Sequence, residues 1–294
     1  MGWSGRFTGL ILLLVLCLSW GLAFVAIKMS LIYLSPVSLT FLRFSVASIL
    51  FALYLLYRGA PIPLRLVPRV ALLGFTGFTV YHLSLNLGET GTAAGIAGLV
   101  VASSPVFITL LSRAVLGEKL TILKVVGTAS GLLGLAVMIT PSLQASGNPI
   151  RVLAILPAPI TSALYTVLGK LYLKEGEPAV LTGYAQLFGL LLLTPIASKS
   201  VILEAASLPL TGWIPILFLG ICSTTLGYTI WFKLLKMGEA SMVGNYIYLT
   251  TLVAILGGRI ILNEPFTLNL AAGGILVVSG VYLTHRGSTG QNPQ

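Results

Sequence analysis

SRAVLGEKLTI, residues Ser112–Ile122, returns near the end of the chain as GRIILNEPFTL, residues Gly258–Leu268. Arg113, Leu116, Glu118 and Thr121 recur at one constant offset as Arg259, Leu262, Glu264 and Thr267. Only 8% of the 294 residues are charged, so a charged phrase written twice marks an internal duplication. Earlier positions extend the match. Lys28, Pro36, Leu39 and Thr40 recur as Lys170, Pro178, Leu181 and Thr182, and Gly77, Thr79, Gly88 and Glu89 recur as Gly227, Thr229, Gly238 and Glu239. After the phrase, Gly127 and Gly134 recur as Gly273 and Gly280. The matches keep their order, which divides the chain into two copies, 1–145 and 146–294.

Each copy is written in the alphabet of lipid. Apolar residues make up 56% of the chain and mean hydropathy is +1.01, whereas a soluble domain carries about a quarter charged residues. A spanning helix needs about 20 predominantly apolar residues. Ten such runs are present, roughly at 8–28, 37–57, 66–87, 91–115, 121–140, 150–172, 178–198, 211–235, 239–262 and 268–285. The expected fold is therefore an all-α integral membrane protein of ten transmembrane helices. Five per copy is an odd number, so the second copy enters from the opposite side and the two repeats are inverted across the membrane, a recurrent plan of secondary transporters. The first run, after Arg6, is too long for a signal peptide and lacks a small-x-small cleavage pattern, so it reads as a retained helix.

The net charge of +10 sets topology rather than binding nucleic acid. With the N-terminus cytoplasmic, Arg6, Arg58, Arg65, Arg69, Arg113, Lys119, Lys124, Lys170, Lys174, Lys233, Lys236 and Arg286 fall inside. Lys28, Arg43, Arg151, Lys199 and Arg259 fall outside or within the membrane. That bias places both termini in the cytoplasm of a multi-pass cell-membrane protein. The two cysteines, Cys17 and Cys222, lie in separate apolar runs. They form no disulfide framework, and no Cys/His pair has metal-ligand spacing.

The duplicated phrase connects the fourth and fifth helices of each copy. Thr121 and Thr267 suit N-caps, the acids Glu118 and Glu264 suit helix starts, and Arg113 and Arg259 suit helix ends. A gating ion pair at each face is the alternative reading.

WGLAFVAIK in the first helix, SPVFITLLSRAVLGEKLT across the fourth helix and its loop, and GTASGLLGLAVMI in the fifth resemble the drug/metabolite transporter superfamily, most closely its ten-helix EamA-type members. The resemblance covers the whole chain. It implies a cell-membrane carrier of small metabolites, often amino acids or related compounds, working outward. It also implies that helices one to four and six to nine surround a central cavity while five and ten pack peripherally. The repeats differ at Pro105, matched by Thr251, and in aromatic content, which predicts an asymmetric cavity.

Polar groups inside a membrane tend to face a cavity or a partner. His82, with Tyr81 beside it and Asn86 one turn on, can hold a carboxylate or carry a proton. Trp20, Tyr165, Trp231, Asn245 and Tyr246 complete the expected substrate contacts, since an aromatic pocket with polar tips suits neutral or zwitterionic compounds. Secondary candidates are Arg43, Tyr184, Tyr228, Tyr248, Ser103, Ser104 and Asn86. Arg43 either neutralises an anion or snorkels to the surface. Proton coupling points to His82, Glu89 and Glu239, although the two glutamates also suit helix termini. Pro105, Pro157, Pro159, Pro195 and Pro215 should kink or interrupt their runs, and Gly127-x-x-x-Gly131 permits close helix approach.

No H-E-x-x-H, G-x-S-x-G or P-loop occurs, and no intramembrane carboxylate pair has catalytic spacing. The reading is a non-enzyme without cofactor that meets a small-molecule substrate and membrane lipid. Its function is export by alternating access; a passive channel or a lipid-linked flippase is the alternative.

Overall fold

The computed structural model describes residues 3–90, 100–143, 149–197, 199–262 and 268–289. Among them every element is helical. In chain order the helices are α1 (Trp3–Leu31), α2 (Pro36–Arg58), α3 (Leu64–Glu89), α4 (Ser104–Leu116) and α5 (Ile122–Leu143). The second half follows with α6 (Pro149–Ile155 continued by Pro157–Tyr172), α7 (Pro178–Leu193), α8 (Leu210–Met237), α9 (Ala240–Gly244 continued by Tyr246–Leu262) and α10 (Leu268–Thr289), with a short helix at Lys199–Ser207 between α7 and α8. Among the described residues seven of these, α1, α2, α3, α6, α7, α8 and α9, contain a stretch long and apolar enough to cross a membrane; Ser104–Leu116 and Ile122–Val137 are shorter apolar helices. The predicted run at 91–115 falls partly outside the described residues, as do Glu264 and Thr267.

The solvent these helices are built for is legible from their surfaces. Leu14, Ile49, Leu53, Leu133, Leu191, Ile214 and Ile275 point outward, while Arg43, His82, Asn86, Gln186 and Asn245 are buried. A water-soluble protein reverses that arrangement. Apolar side chains outside and polar ones inside, each held by at least one hydrogen bond, are the arrangement hydrocarbon requires.

Local chemistry explains the helix ends. Ser35 caps α2, its hydroxyl accepting from Ser38 N, and Pro36 occupies the first turn, where its missing N–H costs nothing. Gly59 ends α2 at φ 53° and Gly117 ends α4 at φ 71°, left-handed positions that favour glycine. Thr121 accepts from Lys124 N at 3.3 Å, which makes it the expected cap of α5. The prolines act as boundaries. Pro105 and Pro157 stand in first turns, Pro195 lies in a 3₁₀ turn after α7, and Pro215 lies inside α8 just before a π-helical segment.

Two π-helical segments, Gly74–Val80 in α3 and Leu219–Leu226 in α8, sit in corresponding parts of the two halves. Threonine hydroxyls occupy carbonyls that the wider turn frees: Thr79 donates to Gly74 O and Thr225 to Gly220 O. Such bulges rotate the residues beyond them and are frequent at functional sites. Here they stand immediately before, or contain, Tyr81, His82, Ser223 and Thr224.

Helices α5 and α10 pack mainly on each other, at the side of the bundle. A Cβ on Gly280 would meet Gly127 O at 2.5 Å, and one on Gly134 would meet Gly273 O at 2.6 Å. The repeated glycines therefore let two backbones touch. The remaining helices enclose a core of aromatic and branched residues running from Leu16 and Phe44 through Phe78 and Tyr165 to Trp231 and Phe232.

Candidate functional site

At the centre lies a cavity of ≈ 60 Å³, room for a few waters. Its wall draws on both halves: Trp20, Phe24 and Ile27 from α1, Arg43 from α2, Tyr81 and His82 from α3, then Tyr165 and Thr166 from α6, Ser223, Tyr228 and Trp231 from α8, and Thr250 and Thr251 from α9. The residues from α1, α2 and α3 lie in the halves of those helices nearer Leu31, Pro36 and Glu89. The cavity thus reaches from the middle of the bundle toward the face where α1 ends.

Aromatic rings form one side. Trp20 packs on Tyr228 and on Trp231 with centroids 5.2 and 5.1 Å apart, and Tyr228 packs on Phe78 at 4.5 Å. Tyr165 stacks on Phe232 at 5.1 Å. Each such pair contributes about 0.5–1.5 kcal/mol beyond burial. Trp20 is pinned further, its Nε1 donating to Ser223 O at 2.9 Å. It fits because residue 227 is glycine, where a Cβ would run into the indole; Gly77 makes the same room for the Tyr165 ring.

Arg43 forms the polar side. It is 1% exposed, so it does not snorkel. Its Nη2 donates to Ser223 Oγ at 3.2 Å and Thr224 Oγ1 at 3.0 Å, its Nε to Thr224 Oγ1 at 3.3 Å, and its Nη1 faces His82 Nδ1 at 3.4 Å. His82 Nε2 stands 2.9 Å from Tyr228 Oη, whose own proton goes to Gly77 O at 3.2 Å. The roles follow from one end to the other. Tyr228 has used its donor, so His82 Nε2–H donates to it, and Nδ1 is left as the acceptor for Arg43. This chain of contacts assigns a neutral His82 and joins α2 and α3 to α8.

Of the predicted site residues, Trp20, Arg43, Tyr81, His82, Tyr165, Tyr228 and Trp231 come together on the cavity wall. The others are engaged elsewhere. Asn245 donates to Thr128 Oγ1 and Ser241 O, and Tyr248 donates to Thr128 O, both bracing α9 against α5. Tyr246 is buried in the core. Tyr184 donates to Ala60 O, Asn86 to Thr40 Oγ1, and Ser103 and Ser104 to carbonyls one turn back. Glu89 is buried and its oxygens have no hydrogen-bond partner. Glu239 stands 2.8 Å from Lys124 Nζ, away from the cavity. Sequence reasoning passed over Ser162, Thr166, Ser223, Thr224, Thr250 and Thr251. The available signal was Arg43 itself, a mid-helix cation that needs hydroxyls or acids facing it from another helix.

The face where α1 begins is sealed by contacts between the halves. Glu118, in the duplicated phrase, does not cap its own helix. It accepts from Ala240 N at 2.5 Å, Ser241 N at 3.1 Å and Ser241 Oγ at 2.6 Å, capping α9 of the other half. Within the second half, Lys170 Nζ donates to Leu235 O at 2.7 Å and also to Gly238 O, tying α6 to the turn that leads into the Glu118-capped helix. Four ion pairs cross between the halves at this face: Lys124–Glu239 at 2.8 Å, Arg58–Glu177 at 3.1 Å, Arg65–Glu175 at 3.9 Å, and Arg69–Glu175. Met237, at the end of α8, packs near Gly9 of α1, which fixes the side.

A family model described as the EamA-like transporter family matches residues 7–140 and again 149–286. An uncharacterized transporter of Archaeoglobus fulgidus is 38% identical over 91% of this chain and 95% of its own length. A probable terminal-alkyne amino-acid exporter of Streptantibioticus cattleyicolor is 28% identical over 95% and 94%. A probable amino-acid metabolite efflux pump of Escherichia coli is 26% identical over 93% of each chain. A solved crystal structure superposes with a TM-score of 0.74 over 96% of this chain and 98% of its own, at 20% identity, a likeness of fold.

Proposed function

We propose, for a multi-pass membrane protein that belongs to the EamA-like transporter family, that it is a secondary carrier exporting a small organic metabolite from the cell by alternating access. Relatives are named for amino-acid and amino-acid-metabolite export, and compounds of that size and polarity are the proposed cargo. The proposed architecture is ten spans in two inverted halves, 1–145 and 146–294. Both termini are cytoplasmic and the membrane is the cell membrane. The proposed contacts are the cavity-lining Trp20, Tyr81, His82, Tyr165, Tyr228 and Trp231, with Arg43 as the charged one.

One observation carries this reading. The cavity lies between the halves, extends toward one face, and is separated from the other by contacts that join one half to the other. A channel has no need of such a seal, whereas a carrier must break it in every cycle. The basic residues gather on the sealed face, so under the positive-inside bias that face is cytoplasmic and the cavity lies toward the outer one. A cavity with room for a few waters admits cargo only as the halves separate.

Proteoliposomes holding purified protein test it. Vesicles preloaded with unlabelled compound should accumulate labelled amino acids or their 2-oxo acids saturably and by counterflow. Flux that rises linearly with concentration, without acceleration by compound on the far side, would make the protein a pore; translocation of labelled lipid would make it a flippase.

A further inference from the structure

Arg43 is a buried cation with neutral company. Ser223, Thr224 and His82 supply its contacts, and among the described residues no carboxylate lies within ion-pair distance of it. Glu89, buried on the same helix as His82, makes no ion pair with Arg43. An intramembrane cation without a counter-charge is costly, and such residues mark substrate pathways. Of its five N–H donors, four are accounted for, and two of those contacts are long, 3.3 and 3.4 Å. One Nη1 hydrogen remains, on a side chain that lines the cavity.

The rest of the wall narrows the choice. Among the described residues it contains no aspartate or glutamate. An ammonium group entering the cavity would therefore meet Arg43 with nothing to balance it. A carboxylate would find Nη1–H and the Ser223 hydroxyl, and charge-assisted bonds to an anion are about twice as strong as neutral ones. The lining also includes Trp20, Phe24 and Ile27 of α1, which suits a short hydrocarbon group.

We propose that the cavity takes a small apolar monocarboxylate, its carboxylate on Arg43 and its hydrocarbon part against Trp20, Phe24 and Ile27, with no subsite for an ammonium group. The inference rests on the carrier reading and narrows it: the preferred cargo is a net anion, such as a 2-oxo acid, rather than a zwitterionic amino acid. His82 acts as a positioning residue, its neutral ring holding the guanidinium toward the cavity.

Three compounds with one isobutyl group isolate the charge: 4-methyl-2-oxopentanoate, leucine and isoamylamine. Binding to the purified full chain is read from quenching of tryptophan fluorescence, since Trp20 and Trp231 line the cavity, and transport from counterflow in proteoliposomes. The oxo acid should bind best, leucine more weakly, and isoamylamine not at all. Arg43→Gln should weaken oxo-acid binding about 30-fold or more, as expected when a buried charge is removed from its partner. Arg43→Lys should retain part of it, and Ser223→Ala should lose less than Arg43→Gln. If Arg43→Gln does not fold, the order of the three compounds on the unaltered protein still decides. Tighter binding of isoamylamine, no binding of the oxo acid, or unchanged oxo-acid affinity in folded Arg43→Gln overturns the proposal. Saturable counterflow of leucine alongside an ignored oxo acid would overturn it while leaving the carrier reading intact. Linear, unsaturable flux of all three would instead sink the carrier reading.

Discussion

Glu118 caps the helix that begins at Ala240, with Ser241 returning both its N–H and its hydroxyl to the same carboxylate. The two residues are 123 positions apart and belong to different halves. Charge-assisted hydrogen bonds each contribute about 1.5–3 kcal/mol, and an N-cap about 1 kcal/mol. The contact is strong enough to hold a face closed and weak enough to be exchanged.

Glu118→Ala should therefore shift the molecule away from the described conformation, by about 5- to 30-fold in population for 1–2 kcal/mol. Thr109, buried on α4 near the sealed face, provides a probe. With Cys17 and Cys222 replaced by serine, a cysteine at position 109 should react with maleimide faster when Glu118 is alanine. Equal labelling rates would mean that the cap does not hold the face shut.

Lys124 is 1% exposed, and its ammonium also donates to Lys119 O at 2.9 Å. Breaking a fully buried pair by removing one partner costs about 3–5 kcal/mol, whereas replacing both can be neutral; Glu239 is 29% exposed, so water offsets part of that cost here. Lys124→Met and Glu239→Gln should each lower the thermal midpoint of the purified protein. The double variant should recover a measurable part of the loss. Additive losses would show that the pair is not coupled.

How much of this was legible beforehand depends on which physical signal each feature leaves. Apolar runs and the duplicated phrase are one-dimensional patterns, so helices and halves could be read. Trp20, Tyr81, His82, Tyr165 and Trp231 were legible because an aromatic or imidazole ring deep in a lipid helix is conspicuous. Ser223 and Thr224 were not, since serine and threonine in such helices usually bond one turn back, as Thr40 does to Pro36 O. Glu118 misled for a subtler reason. Its position before α5 matches a local cap in sequence, but Thr121 already fills that role, and the free carboxylate reaches α9. Asn245 and Tyr246 failed to reach the cavity wall because helical periodicity fixes a face only when the neighbours are known, and α9 turns those two toward α5 and the core.

Trp20 fits because residue 227 lacks a side chain. Gly227→Ala should displace the indole and break its hydrogen bond to Ser223 O, taking down the wall on which Tyr228 and Trp231 rest. The expected result is a red-shifted tryptophan emission and at least a severalfold loss of transport, with the chain still inserted, since one displaced ring costs about 1–3 kcal/mol. Unchanged emission and transport would mean that the backbone moves instead of the ring.

Lys170 and Lys28 are partners in the duplication, but they stand in different situations. Lys170 is tied to Leu235 O and Gly238 O at the sealed face, whereas Lys28 is exposed at the face toward which the cavity reaches. Under the proposed alternation each lysine does for one conformation what the other does for its mirror. Lys170→Met should therefore free the Gly238 turn that leads into the Glu118-capped helix and speed labelling of a cysteine at position 109. Lys28→Met should slow it or leave it unchanged, because it removes a contact that only the opposite conformation makes. The pair separates a mechanical role from a general electrostatic one. Loss of a positive charge near the membrane would push both variants the same way, so labelling rates that move together would count against the exchange of conformations between the halves.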